Sequence, residues 1–371
     1  MRQVPLYEQI YQHISEAIAS KQYLPGDKLP SEKELAEQYG VSRITSKKAL
    51  ETLSEEGKIT RIVGKGSFVT RVPAEKESEA ACGPAEKAEN GKVRLVGVLM
   101  EGFGASFGME LLNSIERECR NQGFAMILRC SDGSIDQEAR SVDELRELGV
   151  EGMIVMCSQN ENYNTKILQM VVEGFPVVTV DRQMKGIPVS FVGTDNTAAA
   201  KELTKYLLDK GYRKICFAKP SASKTSTLRE RQKGFILALN EYGILADENS
   251  WITDFKSTMP SDHSQEMVER DLKRVNRFLD EHPDTEAFLA VEYSIARILY
   301  KCLCERKVSD RYPIVCFDGI DDITNDNMFT HVKQNETAIG REAVRILAKT
   351  ISGELKKDVI QIPYQILEKS Q

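Results

Sequence analysis

The chain predicts two folds in series. A small α+β head of three helices and a β-hairpin is followed by a larger two-lobed α/β body, its parallel sheets covered by helices on both faces. Three observations lead there. Residues 31–53 carry two short helical patterns around a single glycine, with two β-prone runs close behind. Residues 73–92 offer almost nothing to bury. From Val93 onward, apolar strand-like runs alternate with amphipathic helix-like runs, the mark of parallel sheets. At 371 residues the chain also exceeds one ordinary hydrophobic core.

The head, residues 1–72, opens with an amphipathic helix after Pro5, with Leu6, Ile10, Ile14, Ala17 and Ile18 at helical spacing. Pro25-Gly26 and Pro30 then enforce a turn. Ser31 is an N-cap, and Glu34, three residues on, completes a capping box. Leu35, Ala36 and Tyr39 give this helix its apolar face, and Gly40 stops it. Ser42 caps the next helix, which Ala49, Leu50 and Leu53 anchor from below. Arg43, Thr45, Ser46, Lys47 and Lys48 remain near its first turns and are expected to point outward. Polar and cationic residues at that end suit insertion into a DNA major groove. Taken alone, an ordinary helical hairpin with a charged face gives the same pattern. The flanks decide. Runs 58–63 and 67–71, joined by Gly64-Lys65-Gly66, read as a hairpin whose tip can approach another backbone closely. Helices followed by such a hairpin are the order of a winged helix-turn-helix, in which Arg61, Lys65 and the tip glycines reach phosphates or the minor groove.

Charge is distributed accordingly. Residues 1–72 hold eleven Lys/Arg against nine Asp/Glu, so a head basic by two sits on a body acidic by eight, for a formal net of −6. A slightly basic head on an acidic body is compatible with nucleic-acid binding.

The head resembles the GntR family of bacterial transcription regulators. The motifs that carry the resemblance are Pro5-Leu-Tyr-Glu-Gln-Ile10, Leu24-Pro-Gly-Asp-Lys-Leu-Pro-Ser-Glu32, Val41-Ser-Arg-Ile-Thr45, Ala49-Leu50 and Gly64-x-Gly66-Ser-Phe-Val69. By that resemblance Arg43, Thr45 and Lys47 read or clamp DNA, Glu32 lies near the base edges, and Gly66 belongs to the wing. Two positions depart from the family. Lys47 stands where Arg is usual, which favours a phosphate contact over bidentate guanine reading. Val63 stands where a polar residue is common.

Residues 73–92 are small and charged, the composition of a flexible linker. In the body, residues 93–371, the predicted strands are 94–100, 124–129, 152–156, 177–180, 214–218, 286–291 and 313–317. Helical periodicity marks 111–120, 197–208, 234–242 and 340–350. Ligands in such folds sit at the carboxyl ends of the strands, here residues 101–107, 157–160, 181–182, 219–225 and 318–320. Asp195 reads as the N-cap of the helix after it.

These segments resemble the LacI and ribose-binding type of periplasmic-binding-protein fold. The matching pieces include Val96-Gly97-Val98-Leu99, Val150-Glu-Gly-Met-Ile-Val155, Phe175-Pro-Val-Val-Thr-Val-Asp-Arg182 and Val192-Gly-Thr-Asp-Asn196. Arg231-x-x-Gly234-Phe-x-x-Ala238 and Val315-Cys-Phe-Asp-Gly-Ile320 continue the series. The resemblance implies two lobes joined by three crossings, near residues 210, 320–335 and 350–360. It also implies a sugar-type effector held by Ser106, Phe107 and Arg182 from one lobe and by Arg231 and Asp318 from the other. Three of them have a plainer reading: Asp318 as a turn cap, Arg231 as a surface charge, Arg182 as a strap between lobes. Glu292-Tyr293 replaces the family's frequent Asn-Asp, and Tyr293 either stacks on a ligand ring or packs.

The combination is similar to AraR-like arabinose repressors. It implies a cytoplasmic homodimer that binds double-stranded operator DNA and releases it when a small-molecule effector, a pentose such as arabinose, enters the cleft. A non-sugar metabolite such as a purine fits a similar cleft. Other classes fare worse. A transporter's solute-binding protein needs a secretion signal, and the first residues lack its apolar core. No run is long and apolar enough for a membrane span. The eight cysteines form no Cys-x-x-Cys pair and the four histidines no metal spacing, so no metal or cofactor is expected. No nucleophile elbow or phosphate loop is present, and Gly102-x-Gly104 lacks the rest of a dinucleotide fingerprint. Catalysis is not expected.

Overall fold

The computed structural model describes residues 6–19, 23, 29–55, 59–62, 66–69, 93–158, 163–221, 225–259, 264–320, 326–355 and 357–370. They fall into two compact units, Met1–Gly83 and Pro84–Gln371. The expected linker, 73–92, lies outside the described residues.

The first unit holds α1 (Leu6–Ala19), α2 (Glu32–Tyr39), α3 (Arg43–Glu55), β1 (Ile59–Ile62) and β2 (Gly66–Val69). The capping box forms as read. The Glu34 amide donates to Ser31 Oγ at 3.3 Å, and the Ser31 amide donates back to the Glu34 carboxylate at 2.7 Å. Gly40 ends α2 at φ +62°, where a side chain would be strained. Ile10, Ile14, Leu35, Leu50, Leu53 and Ile59 form one small core. The strands pair antiparallel, with Ile62 opposite Gly66 and Arg61 opposite Ser67. Gly66 thus opens the second strand rather than sitting at the tip of the turn.

One expectation fails in the head. Ser46 does not point outward; it is fully buried. Its hydroxyl donates to the Glu32 carbonyl at 2.7 Å and back along α3 to the Arg43 carbonyl at 3.1 Å. The reason is phase. Ser46 lies three, four and seven residues before Ala49, Leu50 and Leu53, and so shares their inward face.

The second unit contains two six-stranded sheets. The N-terminal lobe comprises β3 (Arg94–Met100), α4 (Met109–Asn121), β4 (Phe124–Cys130), α5 (Ile135–Glu147), β5 (Gly152–Val155), α6 (Thr165–Val172), β6 (Val177–Val180) and β7 (Ser190–Thr194). Its strands run parallel, with β13 (Val359–Ile362) completing the order β13-β7-β6-β5-β3-β4. Alternate residues of β3 feed opposite faces. Val96, Val98 and Met100 meet α4 and α11 (Glu336–Ile351), while Leu99 meets α5 and α6.

The C-terminal lobe comprises α7 (Asn196–Asp209), β8 (Ile215–Pro220), α8 (Ser226–Glu241), β9 (Ile252–Phe255), α9 (Gln265–Glu281), β10 (Ala287–Ala290), α10 (Tyr293–Glu305), β11 (Ile314–Phe317) and β12 (Thr330–Lys333). β14 (Gln365–Leu367) joins this sheet antiparallel beside β12, giving β14-β12-β11-β10-β8-β9. Gly234 lets α8 lie hard against α7: a Cβ there would stand 2.2 Å from the Thr197 carbonyl oxygen.

The chain crosses between lobes three times: at Asp195, at Gln334-Asn335 and at Pro363-Tyr364. The first crossing precedes α7 rather than following it near residue 210. Ala199, Ala200 and Leu203 of α7 belong to the core of the C-terminal lobe, so the chain has already changed lobes when the helix begins. Asp195 caps that helix as read, accepting the Ala198 amide at 2.9 Å. The third crossing likewise falls just beyond 350–360, because β13 still pairs in the N-terminal lobe.

Candidate functional site

In the head, Arg43 and Lys47 lie exposed on the first turns of α3, and Lys47 pairs with Glu51 one turn on at 3.7 Å. Thr45 is half-buried, and its hydroxyl meets that of the capping Ser42 at 2.9 Å. Glu32 begins α2, half-buried, and its carbonyl receives Ser46. Lys48 lies over the Tyr7 ring at 4.2 Å, fastening α3 to α1. Gly66 and the backbone of Arg61 lie in the hairpin. Lys65 and Val63 lie outside the described residues, as does the Arg61 side chain.

In the body, strand ends of both lobes converge on a polar cleft. On the N-terminal wall, Arg182 follows β6. Its guanidinium donates to the Cys157 carbonyl at 2.9 Å, pairs with the Glu101 carboxylate, and lies 3.5 Å from Asp181. Nearby, Ser131 and Ser158 hydroxyls meet at 2.5 Å, and the Ser158 amide donates to the buried Glu138 carboxylate.

On the C-terminal wall, Arg231 rises from the first turns of α8 and is buried. Nε donates to Asn196 Oδ1 at 2.8 Å and Nη1 to the Val291 carbonyl at 2.6 Å. The guanidinium lies 3.9 Å from the centre of the Phe317 ring. Asp318, just beyond that ring, accepts the Gln334 side-chain amide at 2.9 Å.

Asp181 and Asp318 occupy equivalent places in the two lobes. Each follows a parallel strand in the left-handed region, at φ +60° and +64°, which Asp tolerates better than most residues. Each amide donates to the next strand, to Val192 and to Val332 respectively. Burial pushes the Asp318 carboxyl up to about 7, against the pull of Arg231 and of the Gln334 bond; Asp181 and Glu336 add to the rise. Burial likewise raises Asp181, with Arg182 and then Arg231 opposing it, and raises Glu292. Among the described residues, Glu292 Oε1 and Gln334 Oε1 are buried without a hydrogen-bond partner.

Lys185 of the N-terminal lobe reaches Glu230 of α8 at 2.7 Å, an ion pair across the lobes. A cavity of about 220 Å³ beside the crossings is lined by Ser106, Met109 and Glu110 on one side and by Asp318, His331 and Gln334 on the other.

The structure therefore brings Ser106 and Asp318 into one cavity. It sets Arg231 beside Asp318 and puts Arg182 on the facing wall. Arg182 does not strap the lobes together; its carboxylate partners, Glu101 and Asp181, belong to its own lobe. Phe107 packs half-buried against the core of its lobe. Tyr293 packs edge-on against Phe329 at 5.8 Å, with its hydroxyl 3.9 Å from Met328 Sδ. Sequence reasoning passed over Glu101, Asn196 and Gln334, which hold the guanidiniums and the carboxylate in place. Glu101 follows β3 directly, so the strand-end rule already contained its signal.

Two lobes joined by three crossings around a polar cleft, on one chain with a helix-turn-helix head, define a ligand-responsive transcription regulator. The head matches the gntR family of bacterial regulatory proteins over residues 6–69. Residues 94–370 match the periplasmic binding proteins and sugar binding domain of the LacI family, and the chain belongs to that family. The arabinose metabolism transcriptional repressor of Geobacillus stearothermophilus is 25% identical over 381 residues, covering 99% of this chain and 98% of its own. The transcriptional repressor PurR of Vibrio atlanticus is 25% identical over 325 residues, 84% of this chain and 93% of the relative. The fold matches transcription regulator CcpA of Lactococcus lactis with a TM-score of 0.63 at 22% identity, over 75% of this chain and 98% of that one. No helix among the described residues is long and apolar enough to cross a membrane.

Proposed function

We propose that this chain is a cytoplasmic homodimeric repressor of sugar-utilisation genes. A pentose such as arabinose, held between the lobes, lowers its affinity for a two-fold symmetric operator. The head is residues 1–72 and residues 73–92 are the tether, with Glu32, Arg43, Thr45, Lys47, Arg61, Lys65 and Gly66 at the duplex. The body binds its effector without transforming it, and needs no cofactor.

The observation that carries the reading is the placing of Arg231 beside Asp318, with Arg182 and Asp181 on the facing wall. Sugar hydroxyls both donate and accept, and this cleft offers cations and carboxylates together. The first relative named above is an arabinose repressor matched along nearly its whole length, which supports the same effector class. A purine needs a flat apolar platform. Phe317 is covered by Arg231, while Phe107 and Tyr293 pack into their own lobes. A phosphate ester needs spare cations, and Arg182 is already held by carboxylates.

The mechanism is thermodynamic. Effector favours the closed arrangement of the lobes, and operator affinity falls by the effector's differential affinity for the two states. The test is thermal shift of the full chain with arabinose, other pentoses, hexoses and purine bases, followed by gel shift with each compound that binds. At a hundred times its dissociation constant a ligand adds about 2.7 kcal/mol. Stabilisation by a purine base and by no sugar would overturn the assignment.

A further inference from the structure

We propose that Ile44 specifies a thymine in the operator by packing against its C5-methyl group in the major groove. The inference rests on the DNA-reading role of the head. Ile44 is the second residue of α3, and it is 80% exposed. Ser46, Ala49, Leu50 and Leu53 take the buried face of that helix, so Ile44 stands on the opposite side.

A β-branched apolar residue is an unusual occupant of such a position. It is a weaker helix former than Ala, Lys or Glu, and it leaves apolar area in water. The only other large apolar side chain exposed in the head, among the described residues, is Leu6 at 54%. Around Ile44 the same end of α3 carries exposed Arg43, Lys47 paired with Glu51, and Lys48 over Tyr7. The outward face thus sets one apolar group among cations. A major groove presents the matching pattern: phosphates at its rims and, between them, the thymine methyl as its apolar group. Cytosine carries no methyl, so the contact distinguishes T·A from C·G.

The experiment uses the full chain and duplexes selected by it from a random library. Each thymine of the preferred duplex is replaced in turn by deoxyuridine, which removes the methyl and keeps base pairing. We expect one position per half-site at which replacement weakens wild-type binding by about fourfold, the worth of one buried methyl. At that position Ile44→Ala should show no further loss, whereas elsewhere the two proteins should respond alike. Ile44 is exposed, so the variant should keep the wild-type melting temperature. Equal responses of both proteins at every thymine would overturn the inference, as would a loss of dimerisation in Ile44→Ala, which would place the side chain in an interface between copies. A selection that enriches no duplex at low salt would instead overturn the DNA-reading role, and the inference with it.

Discussion

The Arg231 guanidinium lies over the ring of Phe317, 3.9 Å from its centre, and the ring is wholly buried. The arrangement holds a cation beside the Asp318 carboxyl in the cleft. Nε and Nη1 are taken by Asn196 and Val291, which aims the remaining nitrogen. Arg231→Lys keeps the charge but loses the planar fork and the stacked face. The expected result is a tenfold to hundredfold loss of effector affinity, about 1.5–3 kcal/mol for a charge-assisted bond, with operator binding retained. Calorimetry with the effector and gel shift without it check both halves.

Asp318 ties stability to pH. Its folded pKa, about 7, stands above the ordinary value near 4. The neutral carboxyl therefore favours the folded state. That contribution is whole below about pH 4 and is lost as pH rises through about 7. Asp318→Asn, uncharged throughout, should gain stability relative to wild type between pH 5 and pH 8. Each pH unit of separation corresponds to about 1.4 kcal/mol. Parallel thermal melts of the two proteins at both pH values would reveal the change, and a constant difference would exclude it.

Ser46 joins the two helices of the reader. Ser46→Ala removes the hydroxyl that bonds the Glu32 carbonyl, at a cost of about 1 kcal/mol. Freedom gained between α2 and α3 should weaken operator binding by more than the stability loss alone accounts for. Melting curves and operator titrations of the same preparation separate the two effects.

Gly234 sets the distance between α7 and α8. An added methyl would meet the Thr197 carbonyl at 2.2 Å, so the helices must part. Gly234→Ala should destabilise the body by about 1–3 kcal/mol. It should also weaken the effector, because Arg231 on α8 bonds Asn196 on α7. Denaturant unfolding monitored at Trp251, whose ring packs against Phe217 and Phe235 in the same core, reports the first effect.

Much of the architecture was legible because its causes are local. The capping box of Ser31 and Glu34 and the stop at Gly40 depend on residues within one turn of each other. The strands at 94–100 and 177–180 were read to the residue, since runs of buried Val, Leu and Met allow no other register. The strands β7, β9, β12, β13 and β14 were not read. They are three to five residues long, and β12 carries His331 and Lys333 within it. Such segments become strands because a sheet edge is already waiting, as β7 waits for β13. That condition is set far away in the chain.

By itself the sequence determined the two kinds of fold, their order, and the residue types at each strand end, because capping, periodicity and turn chemistry act between neighbours. Only the tertiary structure decided which way those residues face. Arg182 turns to Glu101, Arg231 settles over Phe317, Ser46 turns inward and the first crossing falls at Asp195. Each of these choices depends on a partner brought close by packing, and a buried polar group takes whichever partner the assembled core leaves within reach.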